Sequence, residues 1–182
     1  MNLPNILTLA RIVVIPIFVL LFYLPFHWSM VVAGVIFAVA GITDWLDGYL
    51  ARRLDQTTPF GAFLDPVADK LIVVIALVLL VERFDGWWFT LPAIVIIGRE
   101  IVVSALREWM AELGKRTNVA VSFVGKVKTV LQMVAITVLL VADQTGLLDV
   151  LGGILLYAAA ALTLWSMLIY LHAAWPELTR QV

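Results

Sequence analysis

The chain has 182 residues, of which 63% are hydrophobic and 14% charged, with a mean hydropathy of +1.05. A soluble domain lies nearer half apolar and a quarter charged, so these figures exclude an ordinary soluble fold and indicate an all-α integral membrane protein of one domain, residues 1–182. The formal net charge of −1 leaves no basic footprint for nucleic acid, and the lack of cysteine excludes a disulfide framework and a thiolate metal site.

In chain order, residues 1–10 are expected to form a short interfacial helix, with Asn2 or Asn5 as cap and Pro4 in its first turn. The start Met1-Asn2-Leu3-Pro4-Asn5 lacks the basic opening of a signal peptide. From Ile12 to Thr43 there is no Asp, Glu, Lys or Arg, a run long enough for two membrane crossings. Pro25-Phe26-His27-Trp28-Ser29 divides it, which predicts span one over about 8–24 and span two over about 30–52. Span three is predicted over about 60–81, followed by the aromatic turn Glu82-Arg83-Phe84-Asp85-Gly86-Trp87-Trp88. Span four covers about 88–108 and span five about 121–142, separated by a polar connection from Glu108 to Asn118. Span six covers about 150–173 and carries no charge. Gly34 and Gly41 read as helix-packing positions, and Trp28, Trp87, Trp88 and Trp175, with His27 and His172, as interfacial residues.

Six spans place Arg11, Arg52, Arg53, Lys70, Arg107, Lys115, Arg116, Lys126, Lys128 and Arg180 on one side and only Arg83 on the other. By the positive-inside rule, both termini then face the cytoplasm. Ionisable residues concentrate in spans two to five, which predicts a polar cavity between them, open to the cytoplasm.

The densest of this chemistry lies in Asp44-Trp45-Leu46-Asp47-Gly48-Tyr49-Leu50-Ala51-Arg52, continued by Gly61, Asp65 and Asp69. Asp44 and Asp47 are three apart and share a helix face; Gly61, Asp65 and Asp69 form an i, i+4 stripe. Facing each other, the two stripes would form a bowl of four carboxylates. Such an oxygen-only set suits hard divalent cations, magnesium or manganese, and is a poor zinc site. A pair of ions there would clamp the attacking and leaving oxygens of a phosphoryl displacement. Arg52, Arg99, Arg107, Lys126 and Lys128 supply cations for phosphate. Because neighbours on a helix do not face each other, a direct Arg99–Glu100 pair is not expected, and Arg99 is assigned to the cavity.

The pattern Asp44-x2-Asp47-Gly48-x2-Ala51-Arg52-x8-Gly61-x3-Asp65-x3-Asp69 resembles the signature of the CDP-alcohol phosphatidyltransferase family, with every fixed position and spacing present. The opening Asn2-Leu3-Pro4-Asn5-Ile6-Leu7-Thr8-Leu9-Ala10-Arg11 resembles that of the bacterial members using sn-glycerol 3-phosphate, so the resemblance covers essentially the whole chain. It implies six transmembrane helices in the bacterial inner membrane, a homodimer, and transfer of the phosphatidyl group of CDP-diacylglycerol to an alcohol with release of CMP. It further implies two divalent metal ions (Mg2+ or Mn2+) among Asp44, Asp47, Asp65 and Asp69, with Asp69 as general base. Gly48, Ala51 and Arg52 would lie against the cytidine diphosphate and Gly61 would leave it room. Asn5, Thr8 and Arg11 would lie near the donor or metals. A phosphorylated acceptor needs a second cationic pocket, for which Arg99, Arg107, Lys126 and Lys128 are the candidates. The competing readings are another acceptor (inositol phosphate, serine or a second phosphatidyl group), an intramembrane prenyltransferase, whose motifs lack the Gly48, Ala51-Arg52 and Gly61 spacing, and a divalent-cation transporter.

Overall fold

The computed structural model describes residues 3–26, 28–53, 59–114, 123–143 and 146–179; the side chains of 3–5, 7, 45, 47–53, 59–60, 62, 65, 123–124, 126 and 176–178 are not among those described. Among the described residues there are six helices and no strand: α1 (Leu3–Tyr23), α2 (Ser29–Arg53), α3 (Pro59–Arg83), α4 (Trp87–Glu112), α5 (Phe123–Val141) and α6 (Leu147–Leu178). Each corresponds to one apolar run of the sequence.

Three details differ from the expectation. The separate interfacial helix over 1–10 does not form; Leu3–Ala10 are the first turns of a continuous α1. Pro4 near its start costs no intrahelical hydrogen bond, so nothing interrupts the helix before Arg11. Second, α4 runs one turn further than expected. It ends where Gly114, at φ 71, takes up the left-handed conformation and its N–H reaches Ala111 O at 3.1 Å. Third, α3 continues to Arg83, whose guanidinium donates to Leu139 O at 3.2 Å, Leu140 O at 2.8 Å and Ala142 O at 2.5 Å. Arg83 thereby satisfies the terminal carbonyls of α5, which no residue further along that helix can reach. Half-burial disfavours the charged guanidinium and lowers its pKa, opposed by Asp149 and Asp143.

The helices pack in a closed ring in the order α1, α2, α5, α6, α4, α3, with α3 also touching α5 and α2 across the interior. Phe18, Phe37, Ile72, Leu77, Leu80, Ile96, Ile136, Leu139, Leu140 and Leu156 fill that interior and are almost fully buried. A smaller cluster, Val103, Leu106, Met110, Tyr170 and Ala174, joins α4 to α6. Small residues bring the helices close, as expected for Gly34 and Gly41. A Cβ at Gly34 would lie 2.6 Å from Val141 Cγ2, and one at Gly41 would collide with Met133 Cε, so both glycines pack α2 on α5. Gly152 does the same for α6, 2.7 Å from Leu139 Cδ2.

The outer surface is apolar. Ile94 is 63% exposed, Ile101 64%, Val130 64% and Leu147 74%, a distribution that suits lipid rather than water. Trp87–Glu112 and Leu147–Trp175 are long and apolar enough to cross a membrane, while Thr8–Tyr23, Ser29–Asp44 and Val127–Val141 are shorter apolar stretches. Trp28, Trp87, Trp88 and Trp175 are exposed near helix ends, and His172 is exposed on α6. His27 and the connection 115–122 lie outside the described residues.

Candidate active site

Two charged clusters are built into the bundle. The first is on α1, α2 and α3. Arg11 extends from α1 with only 2% of its side chain exposed, and its Nη1 donates to Asp44 Oδ1 of α2 at 3.0 Å and to Asp69 Oδ1 of α3. One nitrogen therefore draws together carboxylates that the sequence places twenty-five positions apart. Asp44 and Asp69 are 38% and 39% exposed. Thr8, one turn before Arg11, is fully buried, and Gly61 is buried at the start of α3.

Asp47 follows Asp44 by less than a turn on α2, and Asp65 precedes Asp69 by one turn on α3. Their side chains lie outside the described residues, as do those of Asn5, Gly48, Ala51, Arg52 and Lys126. Among the described residues, no three carboxylates or imidazoles form a metal set. Two partly exposed aspartates of different helices, converged on one cation, supply only hard oxygen donors. That chemistry fits a magnesium- or manganese-type ion.

The second cluster is on α4, α5 and α6. Here one carboxylate collects two cations. Glu100 Oε1 accepts from Arg99 Nη1 at 3.0 Å and from Lys128 Nζ at 2.5 Å. Arg99 Nη2 donates to Ser166 Oγ of α6 at 3.1 Å, and its guanidinium lies 5.9 Å from the Tyr170 ring centroid. The direct Arg99–Glu100 contact, against expectation, forms because both side chains are long and share outside partners. Ser166 and Tyr170 turn the guanidinium along the bundle, and Lys128 draws the carboxylate from the α5 side. Gln132 and Thr163, a turn from Lys128 and Ser166 respectively, are buried with Oε1 and Oγ1 lacking a hydrogen-bond partner among the described residues. Arg107 is exposed on α4 and takes no part in this cluster.

The two clusters occupy one level. The Gly34–Val141 and Gly41–Met133 contacts set α2 and α5 antiparallel, seven residues on one matching eight on the other. Continuing that register by about one and a half turns brings Lys128 level with the turn of α2 that carries Asp44 and Asp47. A groove of about 600 Å3 between α4 and α6 is lined by Trp88, Phe89, Val150, Ile154 and Tyr157. It lies at the other end of these helices and holds only Asp149 as a charged group, so the charge geometry, not the cavity size, locates the chemistry.

Sequence reading had placed Arg11 and Thr8 near the site only through resemblance. The sole residue-level signal for Arg11 was a charge at the edge of an apolar run. Ser166, Gln132 and Thr163 were missed, because a hydroxyl or amide in an apolar helix has no spacing signature. Glu100 had been noted without a role.

The CDP-alcohol phosphatidyltransferase family model matches residues 1–165 of the chain. Proteins named CDP-diacylglycerol–glycerol-3-phosphate 3-phosphatidyltransferase, from Salmonella typhimurium, Shigella flexneri and Escherichia coli strain K12, are each 58% identical to it over 180 residues. The match covers 99% of this chain and 98% of theirs.

Proposed function

The chain belongs to the CDP-alcohol phosphatidyltransferase family, and on that premise we propose that it transfers the phosphatidyl group of CDP-diacylglycerol to sn-glycerol 3-phosphate, giving phosphatidylglycerol phosphate and CMP. The observation that carries the reading is 58% identity over nearly the whole of both chains to enzymes of that name. The convergence of Asp44 and Asp69 on Arg11 agrees with it.

In this reading residues 1–182 are one domain with six crossings of the bacterial inner membrane. Both termini and the carboxylate end face the cytoplasm, following the distribution of Lys and Arg. The protein acts as a homodimer. Asp44, Asp47, Asp65 and Asp69 hold two divalent ions, magnesium or manganese. When bound, such ions supply Lewis-acid charge at the donor diphosphate. Arg11 holds Asp44 and Asp69 in place from α1. Gly48, Ala51, Arg52, Gly61, Asn5 and Thr8 form the surface for the cytidine diphosphate part of the donor. Arg99, Arg107, Lys126 and Lys128 make the cationic region for the acceptor phosphate.

Asp69 acts as general base. It takes the proton of the acceptor hydroxyl, which must lie within hydrogen-bond reach. The hydroxyl oxygen forms a bond to the phosphatidyl phosphorus as the bond from that phosphorus to the CMP oxygen breaks in line, and CMP leaves with the electron pair. The test is CMP release from CDP-diacylglycerol by the purified protein with magnesium, run with glycerol 3-phosphate, inositol phosphate, serine or no acceptor. Release with glycerol 3-phosphate alone is expected. Release with a different acceptor replaces the substrate, and metal uptake into vesicles without CMP formation replaces the transferase.

A further inference from the structure

We propose that Glu100 is a positioning residue for the acceptor: it holds the Lys128 ammonium at the level of the α2 carboxylates, where that ammonium meets the acceptor phosphate. The inference rests on the transferase reading above and divides the labour within its cationic region. Arg99 and Lys128 are both buried, 9% and 3% exposed, yet their environments differ. Arg99 is held in place by Glu100 at Nη1, Ser166 at Nη2 and the Tyr170 ring, while its buried Nε has no hydrogen-bond partner among the described residues. Lys128 spends one N–H on Glu100, and among the described residues nothing takes the other two. An ammonium carries three donors, so Lys128 keeps two for an incoming phosphate, and its unbranched stem lets them be aimed.

Glu100 is what allows the two cations to coexist. Without it, two positive groups that share one oxygen would repel each other away from water. Lys128 would then have reason to swing off the level of Asp44 and Asp47. Its four-carbon stem has the freedom to do so, whereas Arg99 is pinned by Ser166. Glu100 therefore acts on the acceptor through Lys128 and has no direct part in the displacement.

The experiment is a double-mutant cycle on the detergent-purified full chain, following CMP release with each substrate varied at saturation of the other. Glu100→Gln is expected to raise KM for glycerol 3-phosphate about tenfold while kcat and KM for CDP-diacylglycerol stay within about twofold. Lys128→Met should raise the acceptor KM at least as far. In the Lys128→Met background Glu100→Gln should add nothing, because its effect is transmitted through the missing ammonium. A full additional tenfold rise in that background overturns the inference, and so does a parallel change in kcat and both KM values. Should Glu100→Gln fail to fold, Glu100→Asp keeps the charge on a shorter arm. It is expected to give a smaller acceptor-KM rise that likewise vanishes with Lys128→Met, and persistence of that rise overturns the inference. The two readings fail differently. If Lys128→Met leaves the acceptor KM at the wild-type value, the assignment of the cationic region falls and this inference with it. If Lys128→Met raises it and Glu100→Gln does not, the inference alone falls.

Discussion

The α1–α3 and α4–α6 clusters are charge inverses of each other. In the first, one cation, Arg11, holds two carboxylates; in the second, one carboxylate, Glu100, holds two cations. Among the described residues each trio keeps one charge in excess, negative on one side of the bundle and positive on the other. Their exposure is inverted as well. The Arg11 hub is 2% exposed while its carboxylates are more than a third open; the Glu100 hub is 20% exposed while Arg99 and Lys128 are at 9% and 4%. A partly exposed negative trio is within reach of incoming cations. An enclosed positive trio admits an anion only in a defined place. The proposed reaction, which joins a cation-assisted donor to a phosphate-bearing acceptor, calls for one of each, at one level, on facing sides.

The largest effect that would test this division is at the negative trio. Asp69→Asn keeps shape and removes the carboxylate proposed as base, and the rate of CMP release is expected to fall by about 10²–10⁴-fold with every acceptor, the span typical of losing general base catalysis. An Asp69→Asn enzyme that kept its kcat and changed only the acceptor KM would break the comparison, because it would move Asp69 to the acceptor side. Arg11→Met comes next. Removing a buried hub from its partners costs about 3–5 kcal/mol when the pair is fully buried, and less when the carboxylates can turn to water. With Asp44 and Asp69 each more than a third exposed, about 1–3 kcal/mol is expected, read by thermal or denaturant unfolding in detergent. An unchanged midpoint would mean that the Arg11 bridge holds nothing together.

Legibility from the sequence also divides along this line. The helices were readable because apolar runs long enough to cross a membrane leave few alternatives, and turn residues such as Pro25 and Gly86 punctuate them. Aspartates at i, i+3 and i+4 spacings have few uses in apolar sequence, which is why the sequence singles out those of α2 and α3; the structure brings Asp44 and Asp69 together on Arg11, and the side chains of Asp47 and Asp65 lie outside the described residues. In the α4–α6 trio the Arg99–Glu100 pairing runs against the sequence expectation. The expectation that Arg99 and Glu100 would point apart holds for an isolated helix, but Ser166, Tyr170 and Lys128 come from two other helices and no local pattern encodes them. The extension of α3 to Arg83 was hidden for the same reason, since its partners are the terminal carbonyls of α5. The continuity of α1 through residues 3–10 was missed because the Asn and Pro there read equally well as the cap of a separate helix.

The seam between the two regions is α5, which bears Lys128 and packs on α2 through Gly41 and on α6 through Gly152. Both glycines meet their neighbour too closely for a Cβ, but the neighbours differ in how easily they move. At Gly152 the Cβ would sit 2.7 Å from both Cδ2 and Cγ of Leu139, a fully buried side chain with core residues around it. Overpacking there has no outlet, and Gly152→Ala is expected to cost about 1–3 kcal/mol. At Gly41 the obstacle is Met133 Cε, the free end of an unbranched thioether that is only partly buried. Rotation of Met133 can clear it, so Gly41→Ala is expected to cost less than about 1 kcal/mol. Unfolding midpoints of the two variants, measured side by side in the same detergent, give the order. If Gly41→Ala proves the costlier, the α2–α5 spacing is fixed by the backbone and not by an adaptable side chain. The level shared by Asp44 and Lys128 would then be set as rigidly as the packing of α5 on α6.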